Sequence, residues 1–204
     1  NVFYNMAIND TLPIAEETSN AYELGYKYSS HNLLFNAAVF STKITGFQAN
    51  NFDNSTGVTI TRLTNAGDVS TQGVELDLAL QVTDNLKLIA GLAKIKATID
   101  KFFCPADAQC TDRSGLDVPF SPDLKYVLSL NYFTELEVMN IIWDASYVYT
   151  DEQKATLPTN TGEFNPEVIL PDYAILNASI KFTFDDDNYH IVLIGKNLTD
   201  EQYY

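Results

Sequence analysis

The chain has 204 residues and a formal net charge of −15, with 27 acidic side chains against 12 Lys and Arg. This imbalance argues against a nucleic-acid partner, because neutralising phosphates requires clustered Lys and Arg. Apolar residues make up 46% of the chain, too many for a disordered protein, and the 12 Tyr and 12 Phe favour β structure. No run of roughly eighteen apolar residues occurs, so we predict no transmembrane helix. This does not exclude a membrane β-barrel, because the strands of such a barrel are short and only half apolar.

The stretch Asn1–Asp10 has no initiating Met and no basic region followed by an apolar run. We therefore predict no signal peptide there, and we expect the chain to belong to a longer protein that continues upstream.

Alternating apolar and polar residues, bounded by turn-forming ones, predict eight strands. The predicted ranges are 20–29, 33–46, 62–81, 85–101, 124–133, 138–150, 172–184 and 189–199.

The predicted connections alternate between short and long. Short ones lie at 29–32, 82–85, 134–138 and 185–188, and long ones at 48–61, 102–123 and 151–171. In an up-and-down meander, alternate connections lie at opposite ends of the sheet. One rim would therefore carry tight turns and the other long loops, which is the layout of an outer-membrane barrel.

Four of the strands have one face without a charge. Those faces are the alternate residues of Val74–Val82, Leu124–Tyr132, Met139–Tyr149 and Ala174–Phe184. Because a Lys or Arg at the bilayer midplane costs roughly 2–4 kcal/mol, lipid contact selects for such faces. We predict that they point into lipid and that the opposite faces line a polar lumen. The lumen-facing candidates are Glu75, Asp77, Asn177 and Lys181.

Aromatic residues gather near the strand ends, as Tyr28, Tyr132 and Phe184 do beside short turns and Tyr126 and Tyr149 do toward the long loops. Two bands of rings are typical of membrane–water interfaces, where a ring lies in acyl chains and its hydroxyl stays hydrated. A soluble β-sandwich also alternates, but its rings more often lie at mid-strand.

Several segments resemble one family, the TonB-dependent receptors of the Gram-negative outer membrane. The resembling segments are "EETSNAYELGYKYSSHNLLFNAAVFSTKITGFQ", "NAGDVSTQGVELDLALQVTDNLKLIAGLAKIKATI", "GLDVPFSPDLKYVLSLNYF" and "GKNLTDEQYY". The second contains the Gly73-Val74-Glu75 triplet, and the fourth contains an Asn-Leu-x-Asp-x-x-Tyr element formed by Asn197, Leu198, Asp200 and Tyr203.

The resemblance implies an all-β fold in which residues 1–204 form part of a barrel of about 22 strands. The family's plug domain, its TonB-contacting box and its final strand have no counterpart in this sequence. Alone, such a piece would form a strongly curved open sheet with two unpaired edges.

The resemblance also implies function and partners. Such receptors lie in outer-membrane lipid and bind a scarce nutrient at the external face, often a ferric siderophore or cobalamin and sometimes a glycan. Uptake is driven by the TonB complex acting through the plug. No cofactor, metal site or enzymatic activity is expected.

The long loops hold the candidate ligand contacts, namely Phe103, Arg113, Phe120 and Phe164. Cys104 and Cys110 flank a short polar stretch, for which we predict a disulfide, with two free thiols as the alternative. A zinc site is poorly supported, because no paired His or further Cys lies nearby.

The sequence supports other sites and folds less well. Glu75 and Asp77 share a strand face, as the two catalytic carboxylates of a glycosidase could, but a position in the lumen lining is the simpler interpretation. His31 and His190 lack companion ligands. The alternative folds are a complete eight-stranded outer-membrane barrel of porin or adhesion type, and a soluble lipocalin-like barrel with a ligand inside.

Overall fold

The computed structural model describes residues 14–53, 60–103, 112–157, 168–184 and 188–203. Its strands are β1 (Thr18–Ser29), β2 (Leu33–Asp53), β3 (Ile60–Thr83), β4 (Leu86–Phe102), β5 (Leu124–Leu136), β6 (Met139–Thr150), β7 (Gln153–Lys154), β8 (Ile169–Leu170), β9 (Tyr173–Phe184) and β10 (Tyr189–Gly195).

The eight long strands form one antiparallel sheet in the order β1-β2-β3-β4-β5-β6-β9-β10, and β7 pairs with β8 in a small separate hairpin. Each long strand neighbours the next long strand along the chain, so the predicted all-β meander is confirmed. Within the described ranges, no helix is long and apolar enough to cross a membrane.

The register aligns the mostly apolar rows of all eight strands on one side of the sheet, while other apolar residues such as Val127 and Ile142 lie on the opposite side. Directly paired residues of an antiparallel ladder point to the same face. One such row runs from Ala37 through Leu76, Leu92, Tyr126 and Tyr149. We call this side the apolar face and the other side the polar face. Glu75, Asp77, Asn177 and Lys181 all lie on the polar face, because each follows or precedes an apolar-face residue by one position.

The apolar face is not covered by a second layer of the described chain. Tyr22 and Leu24 are 77% and 74% exposed, and Leu128 is 46% exposed near the middle of its strand. Leu76, Leu128, Ile141 and Ile180 share this face but are not enclosed together, and the buried Ile141 lies between its cross-strand neighbours.

The accessible surface leads to the same conclusion. It measures 14419 Å², whereas a compact globular protein of 22.8 kDa exposes about 9,500 Å². A lipocalin-like barrel would enclose its apolar side chains, so this open single sheet contradicts that alternative.

The predicted loop at 48–61 is wrong in most of its length. β2 continues to Asp53 and β3 starts at Ile60, so these strands have 21 and 24 residues. Crossing the lipid core takes about 9–11 residues. Each strand of this hairpin is therefore roughly ten residues, or about 33 Å, longer than a lipid crossing would need. The many Asn, Asp and Thr residues suggested a loop, but cross-strand pairing overrides that local preference.

A bulge stabilises the base of this long hairpin. Gly46 adopts a left-handed φ of 69° between two register shifts. The buried carboxylate of Asp68 accepts the Gly46 N–H at 3.0 Å, and the Asn65 amide donates to the Gly46 carbonyl at 2.6 Å. These side chains satisfy the backbone groups that the bulge removes from the ladder.

Two further boundaries differ from the predictions. β5 runs three residues past its predicted end, which leaves a tight turn before β6. β10 ends at Gly195 and not at 199, because Asn197 takes a left-handed φ of 49° and turns the chain. The β7–β8 hairpin was not predicted, since two-residue strands leave no periodic signal.

Steric contacts explain why the Gly-Val-Glu triplet begins with glycine. Gly73 lies directly opposite Phe40, and the Phe40 ring covers it. A Cβ at Gly73 would come within 2.7 Å of the Lys94 carbonyl oxygen and 2.9 Å of Phe40 Cζ. Only glycine fits without displacing the ring or the neighbouring strand.

We predict that Gly73→Ala destabilises the sheet by about 1–3 kcal/mol, because the added methyl forces Phe40 or β4 to move. Gly25→Ala is the matched control, since a Cβ there meets nothing nearer than 3.7 Å. Thermal unfolding of each purified variant measures the difference. Equal midpoints for the two variants would show that the contact at Gly73 is not limiting.

Candidate functional site

The polar face is the hollow side of the sheet. A depression of about 830 Å³ is lined mainly by polar-face residues of β4, β5, β6 and β9, and a second one of about 430 Å³ lies beside Glu75, Asp77 and Lys125. Depressions form where a sheet curves inward, so the polar face is concave and the apolar face is convex. This curvature agrees with the expected open, curved sheet.

Charges of both signs on the polar face stand apart. Glu75 and Lys125 each pair with Ala93, and Lys87 and Asp144 each pair with Asn131. Side chains two strands apart are separated by about 9–10 Å, too far for an ion pair. In the described part of the chain, Glu75 and Asp77 take part in no ion pair. Their carboxylates are exposed toward the hollow.

Asp144 is held by neutral neighbours at the centre of the larger depression. The Asn131 amide donates to Asp144 Oδ1 at 2.6 Å, and the Ser179 hydroxyl donates to Oδ2 at 3.4 Å. This three-strand contact fixes an acidic side chain on the polar face without neutralising it.

Asn177 has a structural partner that the sequence did not reveal. Its Oδ1 accepts the backbone N–H of Asn197 at 2.9 Å. The Asn197 amide in turn donates to the Glu201 carbonyl and accepts the Glu201 N–H, both at 2.9 Å. The Asn-Leu-x-Asp-x-x-Tyr element is thus a compact turn held against β9, and Tyr203 stacks on Tyr173 with ring centroids 5.0 Å apart.

At the long-loop end, the predicted loop 102–123 is partly structured. Residues 112–123 run along the end of β4, where the Ile99 N–H donates to the Leu116 carbonyl at 2.9 Å and the Val118 N–H to the Ala97 carbonyl at 3.1 Å. This segment extends the pairing of the sheet beyond the start of β5.

One carboxylate joins the two long loops described at this end. Asp117 accepts Lys96 Nζ of β4 at 2.6 Å and Lys154 Nζ of β7 at 2.8 Å. A backbone bond from the Phe120 N–H to the Lys154 carbonyl, at 2.8 Å, lies next to it. Partial burial raises the pKa of Asp117, but hydrogen bonds from Lys154 and then Lys96 outweigh that effect and hold the pKa below its usual value.

The candidate ligand contacts do not form one cluster. The Arg113 guanidinium lies 5.0 Å from the centroid of the Phe102 ring, next to the half-exposed Phe103. Phe120 is 64% exposed but lies beside Lys154, seven residues further along the loop from Arg113. Cys104, Cys110 and Phe164 fall outside the described residues, so their predictions stay predictions.

Sequence reasoning missed the Asp117 contact. Lys96, Asp117 and Lys154 are far apart in sequence, and each reads singly as an ordinary surface charge. The only local signal was Asp117 beside Val118 in an alternating stretch, which hinted at extended chain within a predicted loop.

Comparison with known proteins identifies the class. The family model described as "TonB dependent receptor-like, beta-barrel" matches residues 3–198. The chain therefore belongs to the TonB-dependent receptor β-barrel family, which confirms the resemblance. Since this is a family of receptors, the expectation that the chain is not an enzyme is confirmed as well.

Solved structures have the same fold. The ferric yersiniabactin uptake receptor FyuA of Yersinia pestis matches with a TM-score of 0.71 and 20% identity, over 99% of this chain and 28% of that one. The siderophore receptor PiuA of Acinetobacter baumannii gives 0.70 and 22%, over 98% and 26%. The copper transporter OprC gives 0.67 and 17%, over 98% and 28%. This chain spans 26% to 28% of the length of these proteins, as a part of a larger barrel.

Asp117→Asn should loosen the junction between the two loops. Losing the charge weakens two lysine contacts, by about 1–2 kcal/mol in total after allowing for the partly exposed Lys96. We expect the Phe120 and Val118 amides to exchange about 5–30-fold faster in hydrogen-exchange measurements on the whole receptor. Asp123→Asn is the control. Asp123 makes a longer contact with Lys96, at 3.5 Å, and within the described residues it does not contact Lys154.

The pH dependence of the junction follows from the lowered pKa of Asp117. A depressed carboxyl pKa contributes stability that is complete above the unfolded value of about 4 and is lost as the pH falls through the folded value. Amide protection, corrected for intrinsic exchange, should thus be constant from about pH 5 to 8. A loss of protection within that window would contradict the assignment to Asp117.

Proposed function

We propose that the whole protein is an outer-membrane receptor of a Gram-negative bacterium that takes up a scarce nutrient, in the first place a ferric siderophore. The observation that carries the proposal is the convex apolar face, which continues across all eight strands and bears no charge over the central rows. Such a face suits lipid, where each buried charge costs several kcal/mol. Family membership identifies the kind of receptor of which this sheet forms a part.

The polar face is assigned to the lumen. Glu75, Asp77 and Lys181, which form no ion pair within the described part of the chain, would line it and meet water or a plug domain, while Asn177 would act mainly by holding the turn at Asn197. The mixed signs suit contacts with another folded protein, since each charge is left without a neighbour on its own wall. Through such a plug, the TonB complex would transmit the energy for uptake.

The long loops are assigned to the external side. Phe103 and Arg113 near the end of β4, Phe120 beside Lys154, and Phe164 in the other loop would contact the nutrient. A Cys104–Cys110 disulfide would restrict the tip of the first loop. Aromatic rings and one guanidinium suit a bulky, anionic, partly aromatic ligand such as a ferric siderophore.

The orientation of the wall is tested by neighbouring residues of β5. Leu128 lies on the apolar face and Ser129 on the polar face, so the same substitution samples opposite environments. Leu128→Lys should cost about 2–4 kcal/mol and lower the amount of folded receptor in the outer membrane. Ser129→Lys should leave that amount unchanged. If Ser129→Lys were the more harmful, the faces would be reversed.

The nutrient is tested by deleting the gene from its host. We expect slow growth when iron is limited by a chelator and loss of radioactive iron uptake from the siderophore that the host uses. The intact gene should restore both, and copper-limited growth should be normal. A defect under copper limitation alone would favour the second candidate, copper uptake, which the likeness to OprC brings forward.

A further inference from the structure

The charged side chains that the strands themselves place on the apolar face are all lysines. Between the short turns and the bulges, the described strand residues on this face include no Asp or Glu, and the charged ones are Lys43, Lys94 and Lys96. The carboxylate that reaches them belongs to the loop residue Asp117, which pairs with Thr98 and bonds Lys96. The whole chain has 27 acidic residues against 12 Lys and Arg, so chance would favour carboxylates. The polar face carries both signs, as Glu75 and Lys125 illustrate.

These lysines lie at one end of the face. Lys94 pairs with Val74 and Leu124, and Lys43 pairs with Ser70 on the long-loop side of the apolar rows. The row just below Lys94 contains Leu92 and Tyr126, and the Tyr126 ring stacks on Tyr149 with centroids 4.9 Å apart. An aromatic ring followed outward by a lysine is the order that a membrane–water interface favours.

The position of the lysines along the membrane normal matches the level expected for lipid phosphates. From Leu86 to Lys94 the chain rises about 27 Å along the strand, which is about 21 Å along the membrane normal at a tilt of roughly 40°. From Leu33 to Lys43 the same estimate gives about 26 Å. The apolar band of such barrels is about 25 Å tall. Both lysines therefore sit at its upper border, and a flexible side chain can extend its ammonium outward from there.

Two of the three lysines are available for a partner. Lys96 forms an ion pair with Asp117, with 2.6 Å between Nζ and Oδ1. Lys43 and Lys94 are exposed, and in the part of the chain that the structure describes neither forms an ion pair. A cation at the edge of an apolar surface is complementary to an anion that belongs to the same lipid layer.

We propose that Lys43 and Lys94 bind phosphate groups of anionic lipid headgroups in the external leaflet. The inference rests on the proposed function for the direction of the long loops. The rim with short turns has no such lysine on the described apolar face, so the contact marks one leaflet only. It would fix the depth of the wall and bring anionic lipid beside the loop junction at Asp117.

The test uses the whole receptor in detergent, titrated with phosphatidylglycerol and followed by native mass spectrometry, with phosphatidylcholine as the reference lipid. A lysine near an anionic surface contributes about 1 kcal/mol, which is about fivefold in affinity. Lys43→Gln with Lys94→Gln should weaken phosphatidylglycerol binding by about 30-fold and leave phosphatidylcholine unchanged. Raising the salt should weaken binding to the native receptor and not to the double variant.

Lys125→Gln is the matched control, because Lys125 follows the residue paired with Lys94 but lies on the polar face. It should leave lipid binding unchanged. Unchanged phosphatidylglycerol affinity in the double variant would overturn the lipid-binding inference and leave the receptor proposal intact. An effect of Lys125→Gln without one of the double variant would instead place lipid on the polar face and overturn the proposed orientation.

Discussion

The cross-strand register is the constraint on which the rest of this structure depends. Side chains alternate with a period of two, so a slip of one residue in the β5–β6 pairing would bring Asp144 to the face that holds Leu128. The ladders from β4 to β10 run without a shift. The register shifts lie inside β2 and β3 at the base of the long hairpin, near the end of β4 and beside the turn at Thr83, and all of them are outside the central apolar rows. The bulges therefore leave the face of every residue in the central apolar rows unchanged.

The same register explains why the two faces of the sheet differ in composition. Under the proposed function, the central rows of the convex side are uncharged because they face lipid, whereas the concave side is varied because water or another folded domain can satisfy its polar groups. On the concave side, Asp144 is held by Asn131 and Ser179, and Asn177 holds the turn at Asn197. These contacts give the wall rigid polar features without neutralising its charges.

The long-loop end of the sheet is built as an extension of its strands. The β2–β3 hairpin continues far past the length needed to cross lipid, and residues 112–123 prolong the sheet beside β4. Asp117 then links this extension to the β7–β8 hairpin through Lys154. Loops fixed in this way present a defined surface at this end of the sheet.

The amino-acid sequence by itself determined the eight strands, their two unlike faces and the family, because alternation and turn residues are local signals that each strand carries alone. Asn177 shows the limit of such reasoning, since its polar-face position was predictable but its bond to Asn197 was not. The full length of the β2–β3 hairpin, the fit of Phe40 over Gly73 and the Asp117–Lys154 ion pair were decided only by tertiary structure. Each depends on which residues face one another across strands or loops, and the last joins positions 37 residues apart. No local pattern encodes such a distance, because it is fixed only once the register of the sheet has formed.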